Sequence, residues 1–155
     1  MVNVLFVCLG NICRSPMAEG VFRQLVAEAG LSDHIQIDSA GTSGYHVGET
    51  AHSGTLRTLK KHNIDYDGRS RQLNMVDFHE YDYILAMDTS NLRSIRNMMP
   101  TDTNARITLL LDYAQRTSIR DVPDPYYTGE FDKVYDLVED ACRNFLVVLR
   151  QTHSL

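Results

Sequence analysis

One stretch near the start of the chain leaves little freedom for the rest. Residues 2–7 are nearly all apolar and contain the run Val4-Leu5-Phe6-Val7. Residues 8–15 follow as Cys8-Leu9-Gly10-Asn11-Ile12-Cys13-Arg14-Ser15, and Pro16 opens a helical spacing through Ala18, Val21, Phe22, Leu25, Val26 and Ala29 that Gly30 stops. An unbroken apolar strand is one covered on both faces, as in a parallel sheet. Ser15-Pro16 predicts the helix start, with Ser as N-cap and Pro as first helical residue. A loop between such a strand and such a helix turns backbone N–H groups and a positive dipole end toward one hollow, which suits a dianion. Arg14 adds a planar fork for bidentate phosphate binding. Asn11 tolerates the left-handed backbone that a tight anion loop needs. Cys8 stands at the strand end facing the same hollow. A thiolate there gains the stabilisation an anion would, and so becomes a nucleophile at neutral pH. The simplest chemistry for it is in-line attack on phosphorus, giving a cysteinyl-phosphate that water removes.

Further strands are expected around Ile35 and Ile37, ending at Asp38-Ser39, then at 83–87 and 106–109. Helices are expected over 51–62, over 89–98 with Asp88 or Ser90 as cap, and over about 130–150. Ala40–Gly48, Asp65–Arg71 and most of 112–129 read as loop. Strands alternating with helices predict an α/β sandwich with a parallel sheet, whose ligand sits beyond the carboxyl ends of the strands. At 155 residues a single domain spanning 1–155 is expected. The formal charge of −5 argues against nucleic acid or an anionic membrane as partner. No long apolar run or leader is visible. Three cysteines, Cys8, Cys13 and Cys142, suit a reducing cytoplasm better than a disulfide framework. The six histidines are dispersed, so neither metal site nor cofactor is expected. Gly-Lys-Ser/Thr is missing, which excludes a nucleotide-binding loop.

The string Val-Cys-Leu-Gly-Asn-Ile-Cys-Arg-Ser-Pro-Met-Ala-Glu carries the Cys-x5-Arg-Ser signature and resembles the low-molecular-weight protein tyrosine phosphatase family. The resemblance implies a three-layer sandwich with a four-stranded parallel sheet in the order 2-1-3-4 and helices on both faces. It implies phosphotyrosine proteins as partners, with inorganic phosphate and other oxyanions as inhibitors. Leu9 to Ser15 would bind phosphate, with Cys8 and Arg14 as nucleophile and clamp. Breaking a tyrosyl ester also needs an acid for the leaving oxygen. Asp124, stiffened by Pro123 and Pro125, is the best candidate, and Asp124-Pro125-Tyr126-Tyr127 is similar to the family's general-acid motif. Asp121 is the competitor. By resemblance Tyr126 and Tyr127 line the pocket, Ser15 steadies the thiolate as leaving group, and Asn11 is tied to Ser39. The family often adds a His where this chain has Gly68, which leads us to expect a less braced loop.

Other residues keep two readings. Cys13 is either a small buried residue or a redox partner that closes a disulfide with Cys8 on oxidation. Arg71 and Asp88 match family positions, yet an ion pair or helix cap explains them equally. Cys142 reads as core. Pocket walls are expected from Leu9, Ile12, Tyr45, Tyr126 and Tyr127, and Ile35 falls near a position where some family members carry an aromatic. Competing functions are an arsenate reductase, for which residues 75–95 lack the further cysteines; a protein arginine phosphatase, which typically has Thr where Ile12 stands and a single Phe after Asp-Pro; and a non-hydrolytic phosphocarrier or redox module, which has no use for Asp124.

Overall fold

The structure is a computed structural model describing residues 1–155. Four strands, β1 (Val2–Cys8), β2 (Ile35–Gly41), β3 (Tyr83–Ala86) and β4 (Arg106–Leu109), form one sheet in the order β2-β1-β3-β4. Every neighbouring pair runs parallel, with Cys8 opposite Gly41 and Val7 opposite both Ala40 and Ala86. The order expected from the resemblance is the order found.

Side chains on β1 alternate between two apolar layers, as strand geometry requires. Val2, Val4, Phe6 and Cys8 face the larger layer, which also takes Phe22 from α1 (Arg14–Glu28), Leu59 from α2 (Ser53–Lys61) and Phe145 from α6 (Phe131–His153). Leu5 and Val7 face the smaller one, with Phe78 from α3 (Asp77–Glu80) and Leu92 and Ile95 from α4 (Thr89–Met98). Covered on both faces, β1 is the central strand its composition predicted. Phe145 is the hub of the larger layer. Its ring centroid lies 5.3 Å from Phe22, 5.4 Å from Tyr83 and 4.9 Å from Tyr113.

α4 and β4 fall on the residues expected. Other boundaries differ for identifiable reasons. β2 runs on to Gly41 because Ala40 and Gly41 pair with β1, although their small side chains suggested loop. α6 continues to His153, whose Nε2 lies 2.9 Å from the Tyr83 hydroxyl and holds the extra turn. α1 begins at Arg14, not Pro16, and Ser15 is not its N-cap; Cys13 occupies that place with no side-chain cap bond. Pro16 is accommodated because first-turn N–H groups have no helical partner. Three short elements were not anticipated: α3, a 3-10 turn over Leu110–Tyr113, and α5 (Pro125–Thr128). No helix is long and apolar enough to cross a membrane.

Phe145→Ala empties the centre of the larger layer and is expected to cost about 3–5 kcal/mol, read from urea unfolding of the two proteins.

Candidate active site

The 8–15 loop is shaped by where its carbonyls go. The carbonyls of Cys8 and Leu9 accept from the Thr42 and Ser43 amides at 2.9 Å each. That of Gly10 accepts from Ser70 Oγ at 3.0 Å, that of Ile12 from the His52 amide at 2.8 Å, and that of Cys13 from Thr55 Oγ1 at 3.0 Å. With the oxygens held outward, the peptide N–H groups turn inward. The Asn11 amide donates to the Cys8 sulfur at 3.3 Å, while those of Gly10, Ile12, Cys13 and Arg14 meet no protein acceptor. Asn11 has φ 56°, the left-handed conformation expected of it.

Cys8 is buried at the floor of this ring, with Ser15 Oγ 3.1 Å from its sulfur. Behind the loop, Asn11 Nδ2 donates to Ser15 Oγ at 2.7 Å and to Ser39 Oγ at 2.9 Å, and the Arg71 amide donates to Asn11 Oδ1 at 3.0 Å. The expected Asn11–Ser39 tie is present. At the position where a His was considered, Gly68 stands beside the Tyr66 phenol, with which a Cβ would collide, and the Tyr66 hydroxyl donates to Glu19 Oε1 at 2.8 Å.

Arg14 is 3% exposed; its Nη1 donates to Asp88 Oδ2 at 2.6 Å and to the Val122 carbonyl at 3.0 Å. Its Nη2 lies 3.6 Å from Asp124 Oδ2. Burial opposes the Arg14 charge, but Cys8, Asp88 and Asp124 outweigh it and push its pKa up, so it remains a cation. Asp88 fills both roles considered for it, because its Oδ1 also caps α4 through the Asn91 amide at 2.7 Å. Arg71 likewise pairs with Asp38 and, in two 3.0 Å bonds, with buried Asp77.

Asp124 caps α5 by accepting from the Tyr126 amide at 3.1 Å and reaches the hollow. Asp121 does not; its carboxylate accepts from the Thr89 amide and hydroxyl on the exposed side. The hollow measures about 330 Å³ and is lined by Cys8, Leu9, Gly10, Ile12, Cys13, Arg14, Asp124 and the rings of Tyr45, Tyr126 and Tyr127, all anticipated. Asn11, Ser15 and Ser39 stand behind it and not on its wall. His46, next to Tyr45, also lines it, as does Ser43, which was not anticipated. His46 pairs with Glu49 at 2.9 Å, and the i,i+3 spacing of the two was the available signal. Ile35 does not line this hollow; it pairs with Val2 at the opposite end of the sheet.

Burial, then the charges of Cys8 and Asp124, push the Cys13 thiol up to about 12, so it is protonated beside Cys8. Cys142 is fully buried in the core, as expected. No three His, Cys, Asp or Glu side chains gather closely enough to hold a metal ion.

The family model described as low molecular weight phosphotyrosine protein phosphatase matches residues 3–155. The low molecular weight protein-tyrosine-phosphatase YfkJ of Bacillus subtilis is 46% identical over 100% of both chains. The crystal structure of YfkJ superposes with a TM-score of 0.94, covering 98% of this chain and 96% of that one. Low molecular weight phosphotyrosine protein phosphatase 2 of Drosophila melanogaster is 46% identical over 93% of this chain and 90% of its own. The structure of a drosophila arginine phosphatase is 35% identical, with a TM-score of 0.89 over 95% of this chain and 97% of that one.

Gly41 backs the loop so closely that a Cβ would lie 2.7 Å from the Leu9 carbonyl oxygen and 3.2 Å from the Asn11 nitrogen. Because backbone must move, Gly41→Ala is expected to cost about 1–3 kcal/mol in urea unfolding and to weaken inorganic phosphate binding measured by calorimetry.

Proposed function

Since the chain belongs to the low molecular weight phosphotyrosine protein phosphatase family and is an enzyme of that class, we propose that it hydrolyses phosphotyrosine and related aryl phosphates with Cys8, Arg14 and Asp124 as its catalytic residues. The observation that carries this is the convergence of a sulfur hydrogen-bonded by the Asn11 amide, a buried guanidinium and a carboxylate on one hollow. The loop amides and Arg14 bind the non-bridging phosphate oxygens, whose charge they are placed to stabilise as the phosphoryl group transfers. The Cys8 thiolate attacks phosphorus; the S–P bond forms as the P–O bond to the phenol breaks. Asp124, protonated, gives its proton to the departing phenolate oxygen. As carboxylate it then takes a proton from water. That water attacks phosphorus, displaces the Cys8 thiolate and leaves inorganic phosphate. Ser15 stabilises the departing thiolate through its hydroxyl.

A thiolate at the bottom of a hollow rimmed by Tyr45, Tyr126 and Tyr127 favours the long phosphotyrosine side chain over phosphoserine. Ile12 in the wall and two tyrosines after Asp124-Pro125 favour a flat phenol over the guanidinium that an arginine phosphatase accepts. Inorganic phosphate and other oxyanions fit the same ring of amides and compete with substrate. Cys13 is our candidate partner for Cys8 once peroxide has made Cys8 a sulfenic acid; its thiol then displaces water and closes the disulfide. Three free cysteines support a reducing compartment such as the cytoplasm. The charge of −5 supports protein substrates, with neither nucleic acid nor membrane as partner.

Phosphotyrosine peptides are expected to turn over faster than phosphoarginine or phosphoserine peptides, and Cys8→Ser to abolish turnover while leaving phosphate binding measurable. Asp124→Ala is expected to slow poor leaving groups by about 10²–10⁴-fold and activated ones far less. Equal loss across a leaving-group series would remove Asp124 from the acid role.

A further inference from the structure

Asp124 stands in a segment that the rest of the molecule holds at few points. α5 is a single turn whose only buried residue is Pro125; Tyr126 and Tyr127 are 54% and 79% exposed. Ahead of it the Val122 amide donates to the Met87 carbonyl at 2.9 Å, and after it Gly129 turns left-handed, at φ 73°, toward α6. From outside this segment the His52 imidazole packs against the Tyr126 ring, with centroids 6.0 Å apart and planes at 78°. Perpendicular rings attract at that spacing. Phe131, the first residue of α6, stacks on the same imidazole at 5.0 Å and 25°. The turn from Tyr126 to Phe131 therefore closes around one side chain. Gly54 makes the room, since a Cβ there would overlap the Phe131 ring.

Resting on the phosphatase reading above, we infer that His52 is a positioning residue for the acid: its ring, lodged between Tyr126 and Phe131, sets where the Asp124 carboxylate stands over the hollow. His52 is itself fixed. Its Nδ1 accepts from the Gly54 amide at 3.0 Å and so caps α2, while its own amide donates to the Ile12 carbonyl at 2.8 Å. Asp124 is joined to Tyr126 in turn, because the Tyr126 amide donates to Asp124 Oδ1 at 3.1 Å. Where the Tyr126 ring rests thus decides where the carboxylate rests. The 3.6 Å from Arg14 Nη2 to Asp124 Oδ2 is longer than a hydrogen bond, so that attraction fixes no direction. A proton donor must hold a narrow geometry, and a displacement of about 1 Å can cost about 10²-fold in rate. The position asks for two things at once, an acceptor for the helix cap and a flat ring. Asn supplies the first alone and Phe the second alone; His supplies both.

The test compares kcat/KM over a series of aryl phosphates whose phenols differ in acidity, in the full-length protein and in two variants that separate the roles of the imidazole. His52→Asn keeps a capping acceptor and removes the ring; His52→Phe keeps the ring and removes the acceptor. His52→Asn is expected to slow phosphates of weakly acidic phenols by about 10–100-fold and those of nitrophenols by far less. His52→Phe is expected to keep the leaving-group dependence of the wild type while unfolding at lower urea. Added to Asp124→Ala, His52→Asn is expected to cost nothing further for weakly acidic phenols, since the group it places is gone. Equal loss across the series in His52→Asn, or none, overturns the inference. So does a His52→Phe series as steep as that of His52→Asn, which would leave the cap alone responsible. Should His52→Asn fail to fold, Phe131→Leu withdraws the ring beneath the imidazole and is expected to steepen the series; an unchanged series overturns the inference. A second readout needs no turnover: hydrogen exchange at the Tyr126, Tyr127 and Gly129 amides, which close the α5 turn, is expected to quicken in His52→Asn and not in His52→Phe. Exchange unchanged in His52→Asn overturns the inference whatever the activity. A wild type that turns over no aryl phosphate, with that exchange pattern intact, would instead sink the phosphatase reading.

Discussion

Peptide groups in the 8–15 loop cannot turn freely, because five of their carbonyl oxygens are already bound to the segments around them. Thr42 and Ser43 after β2, His52 and Thr55 at the head of α2, and Ser70 before α3 each take one. An amide whose oxygen is held on one side must show its hydrogen on the other. The ring of inward amides is therefore a by-product of how the loop is fastened from behind. Gly41 lets β2 approach closely enough to do the fastening.

Buried charge is handled in the same way on both sides of the loop. Arg14 satisfies itself on Asp88, the Val122 carbonyl and Asp124, so the cation is compensated within the protein. Asp77 is 3% exposed and receives both arms of Arg71. Asp140, 5% exposed, accepts the Gln115 and Arg116 amides and ties that segment to α6. Removing one partner from such a set strands a charge in a dry place, which costs far more than the set contributes. These groups serve placement more than stability.

Elements with strong local signals could be read directly from the sequence. β1 announced itself by an apolar run, α4 by the Asp88 cap, and Cys8, Arg14 and Asp124, which the fold gathers at one hollow, by motifs of contiguous residues. What escaped was created at long range. β2 reaches Gly41 because β1 offers it backbone partners, although Ser39-Ala40-Gly41 on its own reads as loop. α3 is four residues long, and its first residue, Asp77, is held by Arg71 and by the Asn74 amide. Ser15 has the composition of a cap, yet its hydroxyl is claimed by sulfur and Asn11, so the helix starts one residue before it. His52 shows the same limit. It caps α2, stacks on Phe131 and sits edge-on to Tyr126, three contacts with no pattern along the chain.

The central position of β1 has a consequence for the life of the protein on the ribosome. Cys8 and Arg14 leave the exit tunnel before every segment that fastens their loop from behind. Those fastenings come later, from residues 42 to 70, the Asp88 counter-ion later still, and Asp124 after that. α1 also waits for α6 to cover its inner face. A nascent chain thus carries an unassembled thiol until the segments that hold its loop, and α6 over α1, have followed it.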